Sequence, residues 1–534
     1  MVLTFVLLVL RASLAALFAL IDTVVWIGIV FSTAGPMVLS GLYEATLDRK
    51  IIESLQEEES IPLNVRMHFL YAVLVGNLLL SPKPSGSPPE PLQSPPDALT
   101  PPPDSPEYLH DPSKSASQHA KLDPESSPGS TSEDRNRRDV WKDVESLVRL
   151  PGSDQARLDR YKNITETRLK GMLACQASFG AAIGAPVVFF LGSFLFSVIS
   201  NLSAAGDNDT AHALAFGMWW MTIPHVAVVS GCLLAGNNPN TLEVIACGAD
   251  ETEAWPPIDS SHSGNGASSW YKALTSKWYK PFYATAYQPA WMWDRGRSKR
   301  AWIRLITDTN ELVMDKYVVG KADWAYLIIF TLLLIGAPFV LAFLTSFYTP
   351  TVGMSCRSFT FLLYFLFQFW LSVIWFWDFL DERDRSVGWL TFSHQASKIK
   401  GSWFIFYWFV TGLGLIGSTF TALVGTFLQL LGAYRNCLCD IPMKDWSSKD
   451  ASLVISTNTA ASIFYAQEYW VPTGVTSIVL LIVVCYVGWW YQRHWRLRFN
   501  ELIVKILKSR ASVSPRRSER GMDIVEGKES EVVR

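Results

Sequence analysis

Six apolar stretches of roughly 20 residues or more leave this chain few ways to fold. They run over about Met172–Ser200, His212–Gly236, Trp324–Thr345, Ser358–Phe379, Ser402–Ala433 and Val471–Tyr491. As a helix, each is long enough to cross a hydrocarbon core about 30 Å thick. In lipid the backbone must satisfy its own hydrogen bonds, which favours helices. A seventh span is expected at about Ser13–Phe31. It lacks the charged leading region of a cleavable signal peptide, and its apolar run outlasts a normal signal core, so it reads as a retained signal anchor. Met67–Leu80 is a short eighth candidate, either a marginal span or a helix lying in the interface. The expected fold class is all-α: a polytopic transmembrane helical bundle of seven or eight spans.

Composition agrees. Charged residues make up 18% of the 534, and there are 22 tryptophans, a residue that concentrates at membrane–water interfaces. Alternating the six clear spans places 38 of the 46 Lys and Arg on one side. By the positive-inside rule that side is cytoplasmic, and the C-terminus lies on it. The chain is expected to be integral to a membrane of the secretory pathway or to the plasma membrane.

Organisation follows from these spans. Residues 1–80 form an N-terminal membrane region. Residues 81–138 form a Pro/Ser-rich cytoplasmic insert: Ser81–Gly129 holds 14 of the 29 prolines, cannot bury enough apolar surface to order itself, and offers Ser-Pro steps and polyproline runs to a cytosolic partner. Residues 139–171 read as cytoplasmic amphipathic helices, 172–236 as a two-span hairpin and 237–323 as a basic, Trp-rich loop. Residues 324–491 form a four-span bundle, and 492–534 a basic cytoplasmic tail that begins as an amphipathic helix.

The most conspicuous polar stretch is "YQPAWMWDRGRSKRAWIRLI", Tyr287–Ile306. No nucleic-acid-binding module surrounds it. It is expected at the membrane surface, with Trp291, Trp293 and Trp302 at headgroup depth and Arg295, Arg297 and Arg300 turned toward anionic lipids or cytosol.

Ionisable groups inside the spans are few. Asp22 lies in the first span, and His225 follows Pro224 near the middle of another. Such groups mark ion paths or catalysis, or make polar contacts between helices; His225 is expected to bond a carbonyl freed by Pro224. Asp378, Asp381 and Glu382 share a helical face where a span leaves the membrane. A carboxylate face of that kind can hold Mg²⁺ and a diphosphate, whereas a solvated helix end needs no chemistry. Gly414–Ser418–Ala422–Thr426, Gly417–Thr421–Gly425 and "GAAIG" (Gly180–Gly184) form small-residue rows suited to close helix packing. On the other side of the membrane, Cys356 is a disulfide candidate with Cys437 or Cys439, and Asn201 and Asn208 lie in glycosylation sequons. No metal, cofactor or nucleotide motif stands out, and none is expected.

"AGNNPNTLE" (Ala235–Glu243), the basic tryptophan stretch and "YRNCLCDIP" (Tyr434–Pro442) together resemble a group of fungal polytopic membrane proteins of uncharacterised function. The resemblance implies a polytopic architecture and no particular substrate. Three functions remain open from the residues: a non-enzymatic scaffold or receptor-like sensor, an intramembrane enzyme acting on a lipid or isoprenoid, and a transporter or channel.

Overall fold

The computed structural model describes residues 21–80, 140–236, 241–242, 287–380, 401–434 and 459–508, apart from positions 59, 152–153, 204, 313, 318 and 351. Thirteen helices organise them: α1 (Ile21–Ser32), α2 (Ala34–Glu57), α3 (Leu63–Val75), α4 (Val140–Val148), α5 (Gln155–Ala174), α6 (Gly180–Ser203), α7 (Asn208–Trp220), α8 (Thr222–Gly231), α9 (Arg295–Thr309), α10 (Lys321–Phe347), α11 (Cys356–Leu380), α12 (Gly401–Leu430) and α13 (Ala460–Lys508). Among the described residues, β pairing is limited to one antiparallel bridge between Leu78 and Pro289.

Six helical stretches are long and apolar enough to cross a membrane: α6, α7 with α8, α10, the first 22 residues of α11, most of α12, and α13. The bent pair α1–α2 makes a seventh if counted as one span. Outer faces carry large apolar side chains in the open, among them Phe189 at 80% and Ile416 at 70% exposure. Continuous faces of that kind suit a lipid solvent and not water.

The bend between α1 and α2 is 75°. Pro36 has no N–H to offer Ser32, which frees that carbonyl. Gln368 of α11 takes up the slack: its Nε2 donates to Phe31 O and Ser32 O at 3.1 and 2.8 Å, and its Oε1 accepts from Gly35 N at 2.8 Å. Tyr364 donates to Phe31 O at 2.7 Å, and Ser418 of α12 joins Gln368 at 2.6 Å. A broken helix is tolerated within a bundle when neighbours satisfy its backbone in this way.

Small-residue rows behave as expected on α12. A Cβ at Gly414 would meet Leu371, one at Gly417 would meet Phe367, and one at Gly425 would meet Thr360, so α11 seats closely against all three. "GAAIG" differs. It forms a π-helical turn at the start of α6; Gly180 faces open space, and the contact with α8 is made by Ile183 against Gly231 rather than by the glycines of the row.

Met67–Leu80 is corrected. Helix α3 has 13 residues, about 20 Å of rise, too short to span. Nor does it lie in an interface, because Val65 to Val75 are all buried. It is the centre of a helical head at the basic end of the bundle. Val140, Val144 and Val148 of α4 pack there, with Leu169 of α5, Trp302 and Ile306 of α9, and Phe499 and Ile503 of α13. The i, i+4, i+8 spacing on α4 and the i, i+4 spacing on α13 explain which faces turn inward. This head core is continuous with that of the spans, through residues such as Leu334 and Leu371.

Candidate functional site

The densest polar constellation joins α2 to α9 where the head meets the bundle. Ser40, Glu44 and Asp48 lie at i, i+4, i+8 along α2, and Arg295 and Lys299 at i, i+4 along α9, so each helix presents its groups as one row. Arg295 grips Glu44 through both nitrogens of one edge, Nε–Oε2 at 2.7 Å and Nη2–Oε1 at 3.2 Å. This bidentate geometry is the strong form of the carboxylate–guanidinium contact. Arg295 Nη2 also donates to Ala235 O at 2.8 Å, just beyond α8.

Lys299 is fully buried. Its Nζ lies 2.9 Å from Asp48 Oδ1 and 3.8 Å from Glu44 Oε1, and donates to Ala72 O and Val73 O at 2.8 Å each. The contact with Asp48 is an ion pair rather than an aligned hydrogen bond, since neither Asp48 oxygen meets hydrogen-bond geometry. The two carbonyls belong to the last turn of α3, where the helix dipole is negative; Ala72 O also accepts from Gly76 N at 2.9 Å. Lys299 thus closes α3 while neutralising Asp48. Gly76 and Gly296 permit this approach: a Cβ on Gly76 would sit 2.7 Å from the Lys299 side chain, and one on Gly296 would sit 2.9 Å from Tyr43.

The rest of α9 is held by backbone acceptors and rings. Ser298 Oγ and Trp302 Nε1 both donate to Leu78 O at 2.9 Å, and Gly296 N donates to Ser40 Oγ at 3.0 Å. Trp375 of α11 donates to Trp293 O at 2.7 Å, and the Arg297 guanidinium lies over the Trp375 ring. Trp291 stacks on Trp293, with ring centroids 5.0 Å apart, and meets Trp26 of α1 on its exposed side.

These positions alter the expectation for the tryptophan-rich stretch. Trp293, Arg295 and Trp302 are buried; Arg297 and Arg300 are half-buried; Trp291 remains exposed. Arg295 turns inward because two carboxylates of α2 wait there, about 250 residues away in sequence. A local reading of charge cannot see such a partner. The available signal was the acidic pair Glu44 and Asp48, spaced i, i+4 on an otherwise apolar helix face.

His225 is fully buried, and its Nδ1 donates to Leu334 O at 2.7 Å. Pro338 stands four residues after Leu334 in α10, so this is the carbonyl that Pro338 frees, not one freed by Pro224. Asp22 is exposed on α1. Asp378 lies in the last turn of α11 with its side chain outside the described residues, as are Asp381 and Glu382. Among the described residues no three His, Cys, Asp or Glu gather as a metal site.

Cys356 carries a free thiol, and Cys437 and Cys439 lie outside the described residues. Both sequon asparagines are corrected. Asn201 is fully buried, with Nδ2 donating to Ser197 O and Thr210 O, and Asn208 is 4% exposed. A glycan needs its amide nitrogen at the surface, and neither is there.

Within the head, His68 of α3 stacks on Trp141 of α4 with ring centroids 5.2 Å apart. Burial holds the His68 pKa below the ordinary histidine value, against smaller opposing pulls from Glu145 and the Asn64 backbone. Tyr287 fastens the other end of the same region by donating to Asp143 Oδ2 at 2.8 Å. A cavity of about 20 Å³ lies nearby, lined by Leu74, Asn77, Met172 and Gln176 among others, with room for about one water.

No family model, curated protein or solved structure matches the chain. The multi-pass membrane reading therefore rests on the helices themselves.

Proposed function

We propose that this multi-pass membrane protein is a non-enzymatic scaffold or receptor-like sensor, with the basic end of the bundle and its head in the cytosol. One observation carries this reading: the stretch of α13 from Val471 to Lys508, about 57 Å, runs from among the spans into the core of the head without a break. The buried Glu44–Arg295 and Asp48–Lys299 pairs fasten a second element, the bent α1–α2 unit, to that head. A displacement among the spans is thereby passed to α3, α4 and α9. The segment 81–138 connects Leu80 to α4, and a head in the cytosol would put its Ser-Pro steps within reach of a cytosolic partner. The likeness to fungal polytopic membrane proteins is in keeping with this reading.

The test compares cells carrying the full chain, the chain lacking 81–138, and no chain. Insert-dependent cytosolic partners, with unchanged lipid and isoprenoid composition in the null cells, are the expected outcome. A lipid or isoprenoid precursor that accumulates in null cells and is cleared by the insert-less chain would overturn the proposal in favour of an intramembrane enzyme.

A further inference from the structure

Asp48 is the least satisfied member of the buried quartet. Glu44 receives one whole edge of the Arg295 guanidinium. Asp48 has Lys299 Nζ 2.9 Å from Oδ1, yet neither of its oxygens accepts an aligned hydrogen bond, and the residue is 2% exposed. A lysine ammonium has only N–H groups to give, three in all. Lys299 donates to Ala72 O and Val73 O at 2.8 Å each, so a single N–H is left for two carboxylates. A buried carboxylate with so few donors has lost its hydration without replacement.

The groups around Asp48 pull in both directions. Glu44, one turn earlier on α2, repels its negative charge, whereas Arg295 and Lys299 of α9 attract it. Tyr491 of α13 faces it too, with its hydroxyl donated to Ala45 O at 3.1 Å. Helix α3 presents the Ala72 and Val73 carbonyls, and Asp323 of α10 is turned away to Arg49 and Lys50. Loss of the Asp48 charge does not strand Lys299. The ammonium keeps two carbonyls at the negative end of α3, with Glu44 Oε1 at 3.8 Å. One arrangement of side chains thus accommodates both charge states of Asp48.

We propose that Asp48 is a proton-binding site, which between about pH 5 and 9 exchanges its ion pair with Lys299 for a proton from solvent and leaves Glu44 as the charged partner of α9. Exposed aspartates finish titrating below that range, at about pH 4. Desolvation beside a second carboxylate is what carries an acid into it. The inference goes beyond the scaffold reading and does not depend on it, because it concerns the protonation of one carboxyl and no partner or substrate.

The test is infrared difference spectroscopy on the full chain in detergent, titrated across that range with and without isotope-labelled aspartate. Wild type is expected to gain a carboxylic-acid C=O band as pH falls, and the label should shift it. Asp48→Asn should abolish the band. Asp323→Asn, which removes the acid held by Arg49 and Lys50, should leave it. Lys299→Gln removes the nearest opposing cation and should move the midpoint up by about one pH unit or more. The site is overturned by a wild-type spectrum with no labelled band in the range, by a band that survives Asp48→Asn, or by a midpoint unmoved in Lys299→Gln. A band that ignores the aspartate label and disappears in Glu44→Gln would overturn it equally. The Lys299→Gln shift reports on Asp48 with its carboxyl in place, so the proposal stays testable if Asp48→Asn does not fold. His68 has no carboxyl group, and its titration does not enter the band.

Discussion

Single residues decide how the parts of this molecule are joined. Glu44 holds Arg295 in a bidentate pair at a site from which water is excluded. Removing one member of a buried pair leaves the other charge uncompensated, which typically costs about 3–5 kcal/mol. Glu44→Ala should therefore lower the stability of the detergent-solubilised protein by that order, read as a fall in melting temperature. Exposed pairs such as Lys316–Glu58 should contribute little by comparison. Gln368 acts in a different currency, since it carries no charge and satisfies a broken backbone. Gln368→Leu strips the side-chain donor from Ser32 O and the acceptor from Gly35 N, while Phe31 O keeps the Tyr364 hydroxyl. An unsatisfied buried group costs about 1–3 kcal/mol. The expected result is a destabilised bend between α1 and α2, seen as faster hydrogen exchange at Gly35 with little change in the head.

At the scale of elements, α4 is the piece most open to control. It is nine residues long, and its hold on the head includes three valines, the rings of His68 and Trp302 against Trp141, and hydrogen bonds from Tyr287 to Asp143 and from Tyr161 to Leu147 O. A helix this short has no stability of its own and depends on that packing. His68 titrates below its ordinary value when α4 is docked, because burial disfavours the cation. The undocked state therefore binds the proton more readily, and docking strengthens as pH rises. The contribution is complete above about pH 6.5, the ordinary histidine value, and is lost as pH falls below it through the depressed folded value. Protection factors in Val140–Val148, corrected for the pH dependence of intrinsic exchange, should fall between pH 7 and 5, and His68→Phe should flatten that response. pH-independent protection factors in wild type would contradict the assignment. Helix α9 gives the complementary lesson: its cations read as surface groups in sequence, yet Lys299 has no exposure at all, because α2 supplies acids and α3 supplies carbonyls.

At the scale of the whole molecule, the core of the head runs on into the core of the spans among the described residues, and alternating the spans assigns most Lys and Arg to segments on one side. A reporter fused after Arg534 and one placed within 81–138 should fall on the same, cytosolic side. A reporter between Tyr434 and Thr459 should fall on the other, and a shared signal from all three sites would overturn the orientation. The membrane bundle was legible in the sequence because hydrocarbon imposes a length and an apolarity on every span, and both are local properties. The close contacts along Gly414, Gly417 and Gly425 were legible for the same reason, since a small-residue row advertises a packed face wherever its partner stands. What tertiary structure alone decided was the destination of each polar group. Met67–Leu80 became a buried head helix, His225 found the carbonyl freed by Pro338, and Arg295 and Lys299 turned inward to Glu44 and Asp48. Each of those outcomes depends on a partner more than 100 residues away or on neighbours from several helices, and a charge or a donor carries no record in its own sequence of where its counterpart will be brought.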